Sequence, residues 1–203
     1  MSCQFEQHLI EETIRFHGHS CPGLAIGIRA AEAALKEMAG VEKTDLVCVT
    51  ETDMCGVDGI QFLTGCTYGK GNLLHRDYGK MAFSFYNRKN GKGVRLVFRP
   101  EARNELDGEM PALMQKSAQG TVSPKEQETL QKLRQNMQER LMTLPLEEVF
   151  TVQQLDKRPP RPPRIMESIA CQDCGEKTME SRTRRFAGRT LCIPCFEKVE
   201  QKI

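Results

Sequence analysis

The sequence predicts a core that mixes helices and strands, followed by a small module held together by a metal. Three observations predict it. Apolar residues near the start recur at helical spacing, and the stretch between residues 46 and 98 holds β-rich runs broken by glycine turns. Behind a proline-rich run, the chain then carries two Cys-x-x-Cys pairs. Its 203 residues, 39% hydrophobic and 28% charged, suit one ordinary domain plus an appendage.

Phe5, Leu9, Ile10, Ile14 and Phe16 follow a helical period, so residues 3–16 read as an amphipathic helix. A second helix, Pro22 to Met38, starts on a proline whose missing N–H costs nothing in a first turn, and it stops at Gly40. Gly23, Gly27, Ala30, Ala31 and Ala34 strip bulk from this helix and predict a close contact with a sheet or another helix. Leu46 to Thr50 reads as a strand, Asp53 to Gly56 as a turn, and Val57 to Leu63 as a short helix. Lys80 to Tyr86 and Gly93 to Phe98 read as two strands joined at Asn90-Gly91, a hairpin signal. Ser123-Pro124-Lys125-Glu126 is a capping box that opens a long polar helix to about Leu144, and Phe150 to Leu155 adds a strand.

Lys157-Arg158-Pro159-Pro160-Arg161-Pro162-Pro163-Arg164 then breaks all periodicity. Four prolines in eight residues form neither helix nor central strand, so the run is an extended linker. The predicted organisation is therefore a core at 1–156, a linker at 157–168 and a four-cysteine module at 169–203. In that module Cys171-x2-Cys174, a gap of 17 residues and Cys192-x2-Cys195 match the spacing of a structural zinc site. Gly188 marks a turn within the gap, and Cys195 to Lys202 reads as a terminal helix. Four thiolates leave no position open for water, so this zinc is structural. It also supplies folding energy that about 35 residues cannot find in a core of their own.

A second constellation lies near the start, in His17-Gly18-His19-Ser20-Cys21. In an extended segment alternate residues face one side, so His17, His19 and Cys21 can converge on one ion. Cys21 also precedes a helix N-terminus, where the dipole favours a thiolate. Cys55 is the further candidate ligand, with Asp58 as a proton relay and Lys70 as the countercharge for an anionic substrate group. Gly65 to Gly71 is not a phosphate loop of the nucleotide-binding kind. It has three residues where that motif has four, and it lacks Ser or Thr after Lys70. The sequence assigns no role to Cys3, Cys48 or Cys66.

The run His17-Gly18-His19-Ser20-Cys21-Pro22-Gly23-Leu24-Ala25 resembles the E-subunit family of formylmethanofuran dehydrogenase. So do Cys55 to Gln61, Thr64-Gly65-Cys66-Thr67-Tyr68-Gly69-Lys70-Gly71-Asn72 and Asp77-Tyr78-Gly79-Lys80. The resemblance extends over about residues 5–155, and some members carry a C-terminal treble-clef zinc finger. It implies an α+β, thioredoxin-like core with a five-stranded mixed sheet flanked by helices, a zinc-binding site on that core, and dimers. The core has no Cys-x-x-Cys for thioredoxin-type redox chemistry, and no pterin or iron–sulfur motif appears.

The expected function is that of a metal-binding accessory or associated protein of molybdenum or tungsten one-carbon metabolism. Its expected cofactors are the finger zinc and a second zinc or other divalent ion in the core. Whether the chain turns over a substrate is left open. The alternative is a regulatory zinc-finger protein that binds nucleic acid or protein. Residues 157–203 carry 11 basic and 6 acidic residues, a mild bias far short of a polybasic arm. No apolar run approaches the roughly 18 residues of a membrane span, and the polar first twelve residues carry no export signal. The expected compartment is the cytoplasm, the expected partners a second copy of the chain and the subunits of molybdenum or tungsten enzymes.

Overall fold

The computed structural model describes residues 3–156 and 158–199. The chain forms two compact units, Met1–Pro162 and Pro163–Ile203.

The first unit is built on a five-stranded mixed sheet of order β2-β1-β3-β4-β5. Its strands are β1 (Leu46–Thr50), β2 (Leu73–His75), β3 (Ala82–Asn87), β4 (Gly93–Phe98) and β5 (Phe150–Leu155). β1 and β2 run parallel, and the other neighbours are antiparallel. Leu46 and Cys48, Phe83 and Phe85, and Val94, Leu96 and Phe98 lie on one face. There they join the main core with Ala30 and Ala34 of α2 (Pro22–Glu37) and with Leu130, Met137 and Leu141 of α5 (Pro124–Thr143). This alternation is why Ser84, Arg95 and Gln153 pair across the other face. A second cluster joins Ile10 of α1 (Gln7–His17) to Leu24, Ile28 and Ala31 of α2 and Leu63 of α3 (Gly56–Thr64).

Strands β1, β4 and β5 have the predicted bounds. Others differ for local reasons. The first helix begins at Gln7, because Glu6 is still extended, and it runs to His17, where Gly18 ends it at φ +93°. The β3–β4 connection is a five-residue loop with Gly91 at φ +75°, closed by a bond from Asn87 N–H to the Lys92 carbonyl. The two strands pair as a hairpin and are joined through Asn90-Gly91, as expected. Lys80 and Met81 precede β3 rather than belonging to it. Two elements carry no periodic signal and were not expected: the three-residue β2, and α4 (Met110–Ala118), which follows a 3-10 segment at Pro100–Asp107. The short α6 (Leu146–Val149) leads into β5. The capping box at Ser123 and Glu126 forms as expected.

The small residues of α2 make the predicted close contact, and the partner is a helix. A Cβ on Gly27 would lie 2.0 Å from the Gly56 carbonyl oxygen, and one on Gly59 would lie 3.2 Å from Ile28 N. Neither helix can carry bulk at the crossing, and that closeness sets the distance between their N-termini.

The second unit contains two hairpins and a helix. The hairpins are β6 (Ser168–Ala170) with β7 (Lys177–Met179), and β8 (Thr183–Phe186) with β9 (Arg189–Cys192). A 3-10 turn at Glu180–Arg182 lies between them. Ala187 and Gly188, at φ 47° and 79°, form the tight turn of the second hairpin. The terminal helix α7 (Ile193–Lys198) ends before the predicted Lys202; residues 200–202 lie outside the described residues. Among the described residues no helix is long and apolar enough to cross a membrane.

Candidate metal centre

His17, His19, Cys21 and Cys55 each offer one ligand atom, and the four atoms lie within 4.8 Å of one another. The segment 17–21 is not extended, as sequence reasoning had it. His17 is the last residue of α1, and the left-handed Gly18 reverses the chain so that His19 comes back against it, ring centroids 4.5 Å apart. Cys21 is the N-cap of α2: its Sγ accepts the Leu24 N–H at 3.3 Å. Cys55 immediately precedes α3. The Gly27–Gly56 crossing therefore brings two thiols at two helix starts into one site, where the helix dipoles favour thiolates. Burial pushes the Cys55 thiol up, and the neighbouring Cys21 adds to the rise.

Asp58 Oδ2 lies 2.7 Å from His17 Nδ1. The carboxylate accepts a hydrogen bond from Nδ1–H; in the neutral imidazole that tautomer carries its lone pair on Nε2, which lies 4.0 Å from Cys21 Sγ. This is the carboxylate–histidine arrangement that fixes tautomer and ring direction at metal sites. Asp58 thus orients the His17 ring, while its other oxygen accepts from Gln61 Nε2 at 3.4 Å. Lys70 is elsewhere: its Nζ sits over Gly65, near Cys66, and it lines neither cavity that meets the cluster.

Those two cavities meet at Cys55. One, of about 450 Å³, includes His17, Asp58, Gln61 and His75. The other, of about 710 Å³, takes in His19, Cys21 and Cys55 at one end and Ile26, Met137 and Leu141 deeper in. Ser20, between His19 and Cys21, donates a hydrogen bond from its hydroxyl to the Gln138 side chain of α5. Arg103, Met110, Met114 and Arg134 also line the larger cavity, and sequence reasoning missed them. Arg134, Met137 and Leu141 do fall at helical spacing in α5, the one available signal. Cys3, Cys48 and Cys66 are buried, and burial pushes each thiol up. They pack as small apolar groups.

The C-terminal cluster suits zinc by its own geometry. Cys171, Cys174, Cys192 and Cys195 present four sulfurs within 4.8 Å of one another. Cys174 and Cys192 Sγ are 3.9 Å apart, against the roughly 3.8 Å that tetrahedral Zn–S bonds of about 2.3 Å demand. The β6–β7 turn supplies the first pair; the end of β9 and the first turn of α7 supply the second. The Cys192 N–H donates to Cys171 Sγ at 3.3 Å, which pulls that thiol down to about 6. Cys195 is pushed up, first by the Cys192 side chain. Sulfurs this close cannot all carry charge unless a cation neutralises them.

Both units of the chain have known counterparts. Residues 165–201 match the prokaryotic dksA/traR C4-type zinc finger. An FmdE-like protein of the tungsten formylmethanofuran dehydrogenase type, from Syntrophus aciditrophicus, shares the fold, with a TM-score of 0.65 at 20% identity over 97% of this chain and 95% of that one. A probable S-adenosyl-L-methionine-binding protein of Archaeoglobus fulgidus is 31% identical over 189 residues, 89% of this chain. The chain spans about half the length of that relative, 50%. Residues 16–151 match the family described as FmdE, molybdenum formylmethanofuran dehydrogenase operon, and the chain belongs to that family.

Proposed function

We propose that the core binds zinc or a similar thiophilic divalent ion through His17, His19, Cys21 and Cys55. The chain would then serve, alone or as a homodimer, as a metal-binding accessory protein of a molybdenum or tungsten one-carbon enzyme. The observation that carries the reading is the convergence of four donor atoms from the α1–α2 connection and the start of α3, with Asp58 already orienting His17. Two imidazoles and two thiols are a donor set that suits zinc. When bound, such an ion supplies Lewis-acid polarisation of a carbonyl or activation of water. His19 is the exposed member of the four, on the loop between α1 and α2, so it would be the ligand most open to exchange. We also read the strand order β2-β1-β3-β4 as thioredoxin-like. The family's name supports the metabolic setting.

Metal analysis of the full chain tests the reading. Wild type should hold a core metal besides the finger zinc, and Cys21→Ser with Cys55→Ser should remove the core metal alone. Asp58→Asn should keep the fold and weaken the core metal by about 10–100-fold, as loss of a carboxylate behind a ligating histidine does. Unchanged metal content in the double cysteine variant would overturn it.

A second reading follows from the Archaeoglobus relative, whose name assigns it S-adenosyl-L-methionine. The larger cavity, about 710 Å³, has the volume of small-molecule sites, and calorimetric titration with that compound tests it.

A further inference from the structure

The cavity of about 710 Å³ beside the cluster has a composition that selects its occupant. Its walls are mostly apolar: Met110 and Met137 are buried, as are Ile26 and Leu141. Methionine walls are polarizable and adapt to shape, so they receive an apolar body without fixing its outline. Two guanidiniums also line the cavity, Arg103 and Arg134, and its lining contains no aspartate or glutamate. Among the described residues neither arginine forms an ion pair. Arg103 is nonetheless held in place. Its guanidinium stacks over Phe98, 5.3 Å from the ring centroid, and Nη2 lies 3.5 Å from Met81 Sδ. A planar guanidinium held in this way, with no carboxylate partner among the described residues, suits an incoming carboxylate, phosphate or sulfonate.

We propose that this cavity binds a small organic anion, with its apolar body on the methionines and its acidic group on Arg103 and Arg134. The far end of such a ligand reaches His19, Cys21 and Cys55. That reach rests on the metal reading above, whereas the anion selectivity rests on the cavity alone. In this proposal the countercharge that the sequence suggested for Lys70 falls to Arg103 in the 3-10 segment and Arg134 in α5.

The test uses two fluorescent probes on the full chain: the anion 8-anilinonaphthalene-1-sulfonate and the neutral N-phenyl-1-naphthylamine. Wild type should bind the sulfonate at one site. Arg103→Gln with Arg134→Gln should weaken the sulfonate by about tenfold or more, the worth of a hydrogen bond to a charged group, and leave the neutral probe nearly unchanged. Met114→Glu, at a wall position 48% exposed and so tolerant of charge, should weaken the sulfonate alone. Equal weakening of both probes in these variants, or sulfonate binding indifferent to them, overturns the proposal. Cys21→Ser with Cys55→Ser separates the two readings. Loss of the core metal with arginine-dependent sulfonate binding intact supports both. Sulfonate binding that ignores the arginines in a chain that still loses its core metal sinks the cavity proposal alone.

Discussion

In the C-terminal module, the buried cluster is Cys171, Cys192 and Cys195 around Leu191, so three of its four members are ligands themselves. Phe186 and Phe196 meet edge-on at 6.0 Å beside it, and little else is apolar. In the first unit, the four candidate donors lie outside a main core of more than twenty buried residues. His19 is exposed, and Cys21 and Cys55 are half-buried. Both clusters offer four donors within 4.8 Å, yet one is the centre of its fold and the other an attachment to a finished one. The number of donors does not reveal which is which; what surrounds them does. A cluster that is the core can only be structural, while a cluster at the mouth of a cavity is free to do chemistry.

The sharpest way to break this contrast is to remove the ions. Structural zinc contributes on the order of 10–16 kcal/mol to small modules, far more than Leu191 and two phenylalanines can supply. Cys192→Ser, or a strong chelator, should therefore unfold residues beyond 163 completely and leave the first unit's cooperative melt in place. Hydrogen exchange resolved by segment reads both. A finger that keeps its protection without metal, or a first unit that melts along with it, would dissolve the distinction.

The next largest effect should come from the crossing of α2 and α3. Gly27→Ala puts a methyl group where the Gly56 carbonyl oxygen is 2.0 Å away, and backbone cannot move aside as a flexible side chain can. Overpacking of this kind costs about 3 kcal/mol, the upper part of its usual range. The helices must separate, and Cys21 and Cys55 separate with them. The expected result is a first unit with a lower midpoint and a weakened core metal, beside a finger with unchanged zinc. Denaturant melts and metal analysis on the same sample decide it. If the metal is retained at full affinity, the glycine contact does not set the site.

The finger's ligand set was legible in the sequence, because the spacing of the two cysteine pairs brings them together, although its last helix is shorter than expected. The core site was legible in its residues and not in its geometry. His17, His19 and Cys21 do converge, but through the left-handed Gly18 at a helix end, which an alternating pattern does not encode. That Cys55 joins them depends on two glycines 29 positions apart in contact, a fact of tertiary packing. Asp58 is expected from the sequence as a proton relay, whereas its bond to His17, 41 residues away, is a tertiary contact that nothing local announces. Arg103, Met110 and Met114 were invisible because α4 and the 3-10 segment before it carry no period, whereas Arg134 and Met137 lie at helical spacing in the predicted α5 and lacked only a sign of what they face. Strand β2, only three residues long, owes its existence to pairing with β1, so nothing local announces it.

The smallest expected effect tests whether the first unit's stability is independent of its cluster. Glu51, at the end of β1, accepts two hydrogen bonds from Arg95 of β4, at 2.7 and 2.8 Å. The Arg95 guanidinium holds the Glu51 carboxyl below its usual range. A carboxylate whose pKa is lower folded than unfolded stabilises the fold fully above the unfolded value, about 4.3. That contribution fades as pH falls through the folded value. Glu51→Gln should therefore cost about 1–2 kcal/mol near neutral pH, the scale of a hydrogen bond to a charged group, and progressively less below about pH 4. Melting wild type and variant side by side from neutral pH to strong acid reads the gap. Because Glu51 is no ligand, the same gap should persist when a chelator is present, while the finger is already unfolded. A gap that vanishes with the metal would tie the sheet to the His17–Cys55 cluster and make that site, like the finger, part of what holds its domain together.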